Sequence, residues 1–163
     1  MKFGDTDLKF IGMAIRLSEQ STRGGVGGTK PAGGPFGAVI ARDGRVVGRG
    51  YNRVLGDNDP TAHGEVMAIR DACKNLSTHD LSGCVLYTSC RPCPMCLAAA
   101  RWANIEKIFY AAGSDDAEKV GFRDKVMYKS CGRQNAGVKI RSAAPAAVAV
   151  MENWRKKFRK AIY

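Results

Sequence analysis

No apolar run in this chain approaches the ~20 residues that a membrane-spanning helix needs, so no membrane span is expected. The opening stretch, MKFGDTDLKFIGMAIRL, carries acids early and lacks a continuous apolar segment of the secretory kind. No signal peptide is expected, and the expected location is the cytoplasm. The sequence has neither an internal repeat nor a low-complexity block. Its glycine-rich stretch, TRGGVGGTKPAGG, reads as a loop. That loop does not end in Lys-Ser/Thr and does not emerge from a strand, which excludes a Walker-type phosphate loop. Acids are scarce late in the chain: from Lys119 onward only Asp124 and Glu152 stand against twelve Lys and Arg, within a net charge of +11. Such asymmetry can signal attraction to nucleic acid or phosphate. The run RKKFRK, however, shares its helical pattern with the stripe Met151, Trp154 and Phe158, and cations opposite such a stripe ordinarily face solvent.

A length of 163 residues with 45% hydrophobic composition suits one domain with a proper core. Residues 7–19 place apolar side chains at helical spacing. FGAVIARDGRVVGRGYN reads as two strands joined at Asp43-Gly44, because both central positions of a tight hairpin turn require positive φ. NDPTAHGEVMAIRDACKNL predicts a helix with Asp59 as cap, Pro60 at its first position, and Val66, Ile69, Cys73 and Leu76 on one apolar face. CVLYTS, a helix opening around Pro92, and EKIFYAA form strand, helix, strand, so the two strands should lie parallel. Short helices near 115–119 and 124–130, a strand at 137–141 and a C-terminal helix complete the expectation. The predicted fold is a three-layer α-β-α domain around a mixed sheet of five strands, spanning 1–163.

TSCRPCPMC, residues 88–96, places Cys90, Cys93 and Cys96 at three-residue intervals. Reduced thiols and a metal fit this spacing better than disulfides do. Cys93 and Cys96 belong to the first turn of one helix, where the helix N-terminus favours thiolates. His63-Gly64-Glu65 lies thirty residues upstream of Cys93 on the first turn of another helix. Two thiolates and an imidazole would hold one Zn2+ per subunit and leave a position for water, whose pKa zinc lowers from ~15.7 toward ~7. Glu65 is then placed to carry protons. The competing reading is a closed structural site with Cys90 as fourth ligand, which would leave Glu65 without a task. Cys73, Cys84, Cys90 and Cys131 are expected to be small buried side chains.

His-x-Glu paired with Pro-Cys-x-x-Cys is the signature of zinc-dependent nucleobase deaminases. Together with GGPFGAVI, Asn52, FYAAGSDDAEKVGFRD and the terminal Tyr163, it resembles the bacterial guanine deaminases of the cytidine-deaminase-like superfamily. The resemblance implies His63, Cys93 and Cys96 as zinc ligands and Glu65 as proton shuttle. It implies Asp124 as a second catalytic acid, with Phe36, Asn52, Ala62, Phe122 and Tyr163 around the base. It further implies a homodimer whose C-terminal segment, about 142–163, is swapped so that Tyr163 closes the partner's site. The implied reaction turns guanine and water into xanthine and ammonia. Gly64 stands where the family usually has Ala, and Arg91 where it commonly has Glu.

Three alternatives share parts of this pattern: a tRNA wobble adenosine deaminase, a deaminase of another small base such as cytosine or an aminotriazine, and a non-catalytic zinc-stabilised binding module. The first would account for a basic surface, but a flipped nucleotide needs an open door for its sugar and phosphates.

Overall fold

The computed structural model describes residues 4–23, 30–131 and 144–158. The hairpin forms where Asp43-Gly44 predicts it. Strands β1 (Gly37–Arg42) and β2 (Arg45–Tyr51) are antiparallel and joined through φ of 50° at Asp43 and 71° at Gly44, the pair of left-handed residues that matches strand twist. β3 (Val85–Cys90) runs antiparallel to β1 and parallel to β4 (Lys107–Ala112), in the order β2-β1-β3-β4. The β3–β4 crossover is helix α4 (Pro94–Trp102), so the expected βαβ unit is present. The sheet has four strands among the described residues; the fifth predicted strand, at 137–141, lies outside them.

Helices cover both faces. On one lie α1 (Asp5–Gln20), α5 (Ser114–Lys119) and α7 (Ala144–Lys157), packed through Phe10, Ile11, Met151 and Trp154 against Val39, Tyr87 and Ala111. Burying such side chains contributes ~1.5–3 kcal/mol each. Tyr87 donates to Asp7 at 2.7 Å, and the Trp154 indole donates to the Gly33 carbonyl at 3.0 Å, which fixes α1 and α7 in place. On the other face lie α3 (Gly64–Leu76), α4 and α6 (Asp124–Cys131), over Ala38, Ile40, Leu86 and Ile108. None of the described helices is long and apolar enough to cross a membrane.

Four expectations need correction. α3 begins at Gly64, not Pro60, because Asp59 turns its carboxylate onto Thr61 N and Oγ1 at 2.8 and 2.7 Å instead of capping a helix. His63, in extended backbone, is the N-cap. The deeply buried face of α3 is Gly64, Glu65, Ala68 and Ala72, while Val66, Ile69, Cys73 and Leu76 are half-buried at its side. Small residues win here because α3 lies almost on β2: a Cβ on Gly50 would stand 2.3 Å from the Gly64 carbonyl oxygen. Likewise α4 begins after Pro92, with Cys93 as N-cap and Pro94 at the first helical position. Cys131, expected to be buried, is exposed at the end of α6. A one-turn helix, α2 (Val54–Asp57), follows β2 unannounced.

Candidate active site

Two helix N-termini meet at one end of the sheet, and their cap residues supply the donors. His63 caps α3 and Cys93 caps α4, with Cys96 in the first turn of α4. Cys93 Sγ and Cys96 Sγ lie 3.6 Å apart, and His63 Nδ1 lies 3.6 Å from the first and 3.5 Å from the second. Ligands at ~2.3 Å (S) and ~2.0–2.1 Å (N) around tetrahedral zinc would be separated by about 3.8 Å for S–S and about 3.6 Å for S–N. The trio therefore already has the edge lengths of three corners of such a site. These are the residues whose donor atoms converge within 4.8 Å among the described residues. Cys90 stands apart: its Sγ faces the Gly113 carbonyl at 3.6 Å and packs into the α1/α7 layer. Burial pushes its thiol well above the usual range, but the Cys96 thiol is raised as well, so it is position and not acidity that separates Cys90 from the trio.

The two thiols shift in opposite directions: the hydrogen bond with Cys93, then burial, holds the Cys96 thiol well above its usual range. Hydrogen bonding from Cys96 outweighs the cost of burial and, with His63 beside it, draws the Cys93 thiol down to about 4. Burial would lower the imidazole of His63, but the Cys93 sulfur outweighs it and the net direction is upward. Glu65, at 5% exposure, is pushed up to about 7, first by burial and then by the negative Cys93 sulfur. Its carboxylate lies 3.5 Å from Cys96 Sγ and accepts from Thr88 Oγ1 at 3.4 Å. Thr88 had no part in the sequence reading. Thr88 follows Leu86 by two positions in the strand and so shares the face beneath α3, and that was the available signal. Asp124, opening α6, is likewise raised, to about 6, by burial and then by the Cys93 charge.

A cavity of about 250 Å3 opens onto the trio, lined by Phe36, Asn52, His63, Glu65, Cys93, Phe122 and Asp124, with Cys90, Arg91, Met95 and Met127 among the other walls. Drug-sized ligands occupy ~300–1,000 Å3, so this one suits a single small ring system. A larger cleft, about 650 Å3, lies between β2, α3 and α1 and contains none of the metal donors; volume alone is no guide to the chemistry here. Phe36 both lines the cavity and meets Phe122 edge-on at 4.7 Å, with Trp154 behind Phe122 at 5.2 Å. Asn52 is 1% exposed, and its Oδ1 accepts from the backbone N–H of Gly34 and of Val54, both at 3.2 Å. Gly33 is required by that side chain, since a Cβ there would stand 2.0 Å from Asn52 Oδ1. Ala62 is fully buried beside His63, its N–H bonded to Asp59 and its carbonyl to Arg53; it is not one of the cavity's walls. Tyr163 lies outside the described residues. α7, the described part of the segment expected to swap, packs here against its own chain.

The chain belongs to the cytidine and deoxycytidylate deaminases, matching the model of their zinc-binding region over residues 6–112. It is thus a zinc-dependent hydrolase, and the cluster of His63, Cys93 and Cys96 fits one zinc per subunit. Within that family it is 49% identical over 120 residues to the guanine deaminase of Bacillus subtilis, a stretch covering 74% of this chain and 73% of that protein. The crystal structure of guanine deaminase from Bacillus subtilis superposes with a TM-score of 0.69 at 40% identity, covering 91% of this chain and 93% of the other. A tRNA-specific adenosine deaminase of Aquifex aeolicus is 42% identical over 78 residues, 48% of this chain and 52% of that protein.

Proposed function

We propose that this chain hydrolyses guanine to xanthine and ammonia. The observation that carries the reading is the convergence, at one small cavity, of the donor trio, a buried and a half-buried carboxyl group and an aromatic–amide pair. Similarity to the guanine deaminase of Bacillus subtilis over most of both chains supports it. His63, Cys93 and Cys96 would hold the zinc, which when bound would supply a water acidified to near-neutral pKa. Glu65 would take the first proton of the attacking water and pass it to a ring nitrogen of the base, then take the remaining hydroxyl proton and deliver it to the departing amine, so that the two protons of water end on xanthine and ammonia. Burial suits it to that work, since a carboxyl raised to about 7 can both accept and release protons near neutral pH. Asp124 faces the same cavity and serves the leaving amino group.

Phe36 offers its ring to the flat base. Because Asn52 Oδ1 is engaged by two backbone N–H groups, a base contact would use its amide NH2, a donor for a purine nitrogen or carbonyl oxygen. The chain acts as a homodimer in this reading. Met95, Ala98, Ala99 and Trp102 form a stripe along α4 at helical spacing, with Trp102 86% exposed and Met127 of α6 half exposed. Trp102→Glu should raise the monomer fraction in sedimentation velocity.

The test is ammonia release by zinc-loaded protein from guanine, guanosine, adenine, cytosine and an aminotriazine, with guanine fastest by at least tenfold; equal or better turnover of another base rejects the assignment. The tRNA deaminase relatives and the cation-rich last third favour a second reading, adenosine in tRNA. That reading requires RNA affinity falling steeply with salt, whereas turnover of free guanine should be nearly insensitive to it.

A further inference from the structure

Helix α6 delivers Asp124 to the cavity, is held to α5 by Lys125 pairing with Asp115 and Glu118 at 2.9 and 2.8 Å, and has little buried surface of its own. It has eight residues; Val126 and Met127 are 54% and 51% exposed, and its buried side chain is Tyr128. Tyr128 lies one helical turn after Asp124. Its hydroxyl donates to the backbone carbonyl of Pro92, and the Arg91 guanidinium lies over its ring, 4.3 Å from the centroid. Pro92 is buried and directly precedes Cys93. Its carbonyl comes one residue too early for the α4 ladder, which starts with Leu97 N–H on the Cys93 carbonyl. A buried carbonyl must find a donor elsewhere, and Tyr128 provides it. On the other side, Arg91 N–H is bonded to the Ala112 carbonyl of β4 at 2.8 Å.

We propose that Tyr128, covered by Arg91, is a positioning residue for Asp124. Its bond to Pro92 ties the segment that presents Cys93 to the helix that presents the second acid, so that acid and metal donors keep one separation. The chemistry asks for this because misplacing a reacting group by ~1 Å can cost ~10²-fold in rate. Tyrosine suits the position since its ring fills the same space as phenylalanine while its hydroxyl reaches the carbonyl. The inference rests on the reading of the chain as a guanine deaminase that uses Asp124.

The test compares Tyr128→Phe and Arg91→Gln with the parent full-length, zinc-loaded chain, each in the presence of Asp124 and of Asp124→Asn. It measures kcat and KM for guanine, zinc per chain, and amide exchange across α6. Tyr128→Phe should lower kcat about 10- to 100-fold with KM within about threefold, keep its zinc, and speed α6 exchange about tenfold. Beside Asp124→Asn it should cost less than about twofold more, because a residue acting through Asp124 falls silent once that acid is gone. Arg91→Gln should move kcat and exchange the same way by less. Parental kcat in Tyr128→Phe, a full further loss beside Asp124→Asn, or a fall in kcat tracking zinc loss would each overturn the proposal. Unchanged exchange in Arg91→Gln would remove Arg91 from it. A parent that releases no ammonia from guanine sinks the guanine reading instead, and the exchange of α6 then judges the tie on its own.

Discussion

The two helical layers are built on different principles. Against one face of the sheet, α1 and α7 pack large side chains: Phe10, Ile11, Met151 and Trp154 fill the space against Tyr87 and Val39. Against the other, α3 brings its small residues so close to the glycines of β2 that backbone meets backbone. A Cβ on Gly48 would stand 2.5 Å from the Ala68 carbonyl oxygen, and one on Gly50 2.3 Å from that of Gly64. The metal donors belong to the second layer, at the N-termini of α3 and α4. Long side chains can shift rotamer and absorb change; touching backbones cannot. His63 and Glu65 thus sit on a helix seated on β2 by backbone contact along two glycines, while the aromatic layer closes the domain from behind with large side chains around one approach of the same kind, Gly37 against Ala14 and Ser18.

The sharpest way to break this contrast is to exchange one thiol in each layer. Cys93→Ser removes a donor from the close-packed layer and should abolish both stoichiometric zinc and turnover. Cys90→Ser acts in the aromatic layer and should retain about one zinc per chain; equal loss in both, by metal analysis, would mean that Cys90 is a ligand after all. Next in size is Glu65→Gln, which preserves shape and an acceptor for Thr88. It should keep zinc and fold while turnover drops on the order of 10²- to 10⁴-fold, the usual contribution of a general acid–base group. Near-parental rates would take the proton-carrying role away from Glu65.

Smaller effects separate the layers by stability. Gly50→Ala forces a methyl into the Gly64 carbonyl and should cost ~1–3 kcal/mol or more, with weaker zinc retention because His63 and Glu65 flank Gly64. Ile11→Val, in the other layer, should cost ~0.5–1.5 kcal/mol and leave zinc and turnover untouched. Denaturant unfolding alongside zinc competition would decide it; identical zinc affinities in the two variants would dissolve the distinction.

Much of this was legible from residues alone, for reasons that also mark where reading stops. Asp43-Gly44, the apolar run at Val85 and the Pro-Cys-x-x-Cys spacing act locally, so hairpin, βαβ unit and donor trio all stand where they are expected. The start of α3 did not, because Asp59 had two local options, a cap or a turn onto Thr61, and the choice depends on His63 being drawn to the cysteines from another helix. The buried face of α3 was misread because large residues signal burial by size, whereas Ala68 and Ala72 are buried by the absence of side chains opposite them on β2. Thr88 and Tyr128 gave little local sign, since their partners lie 23 and 36 residues away.

The smallest effect concerns the opposite end of the close-packed layer. There Asp80 accepts from Ser82 Oγ at 2.6 Å, from Ser82 N at 2.9 Å and from Asn104 Nδ2 at 3.1 Å, while Leu81 N–H bonds the Ala103 carbonyl at 2.9 Å. The segment after α3 is thereby tied to the end of α4, the far ends of the two helices whose near ends hold the donors. The Ser82 hydroxyl first, then the Ser82 N–H and Asn104, lower the Asp80 carboxyl from 3.8 to about 2. A folded-state pKa below the unfolded one means that the unfolded chain binds the proton more readily. Asp80 therefore stabilises the fold fully above about 3.8 and loses its contribution as pH falls through about 2. Asp80→Asn should flatten the decline of Tm between pH 4 and 2 relative to the parent and leave zinc content at neutral pH unchanged, because the tie is at the end remote from the trio. Parallel Tm profiles would show that the charge of Asp80 has no part in holding the helices; loss of zinc would show that the far end is not mechanically separate from the site.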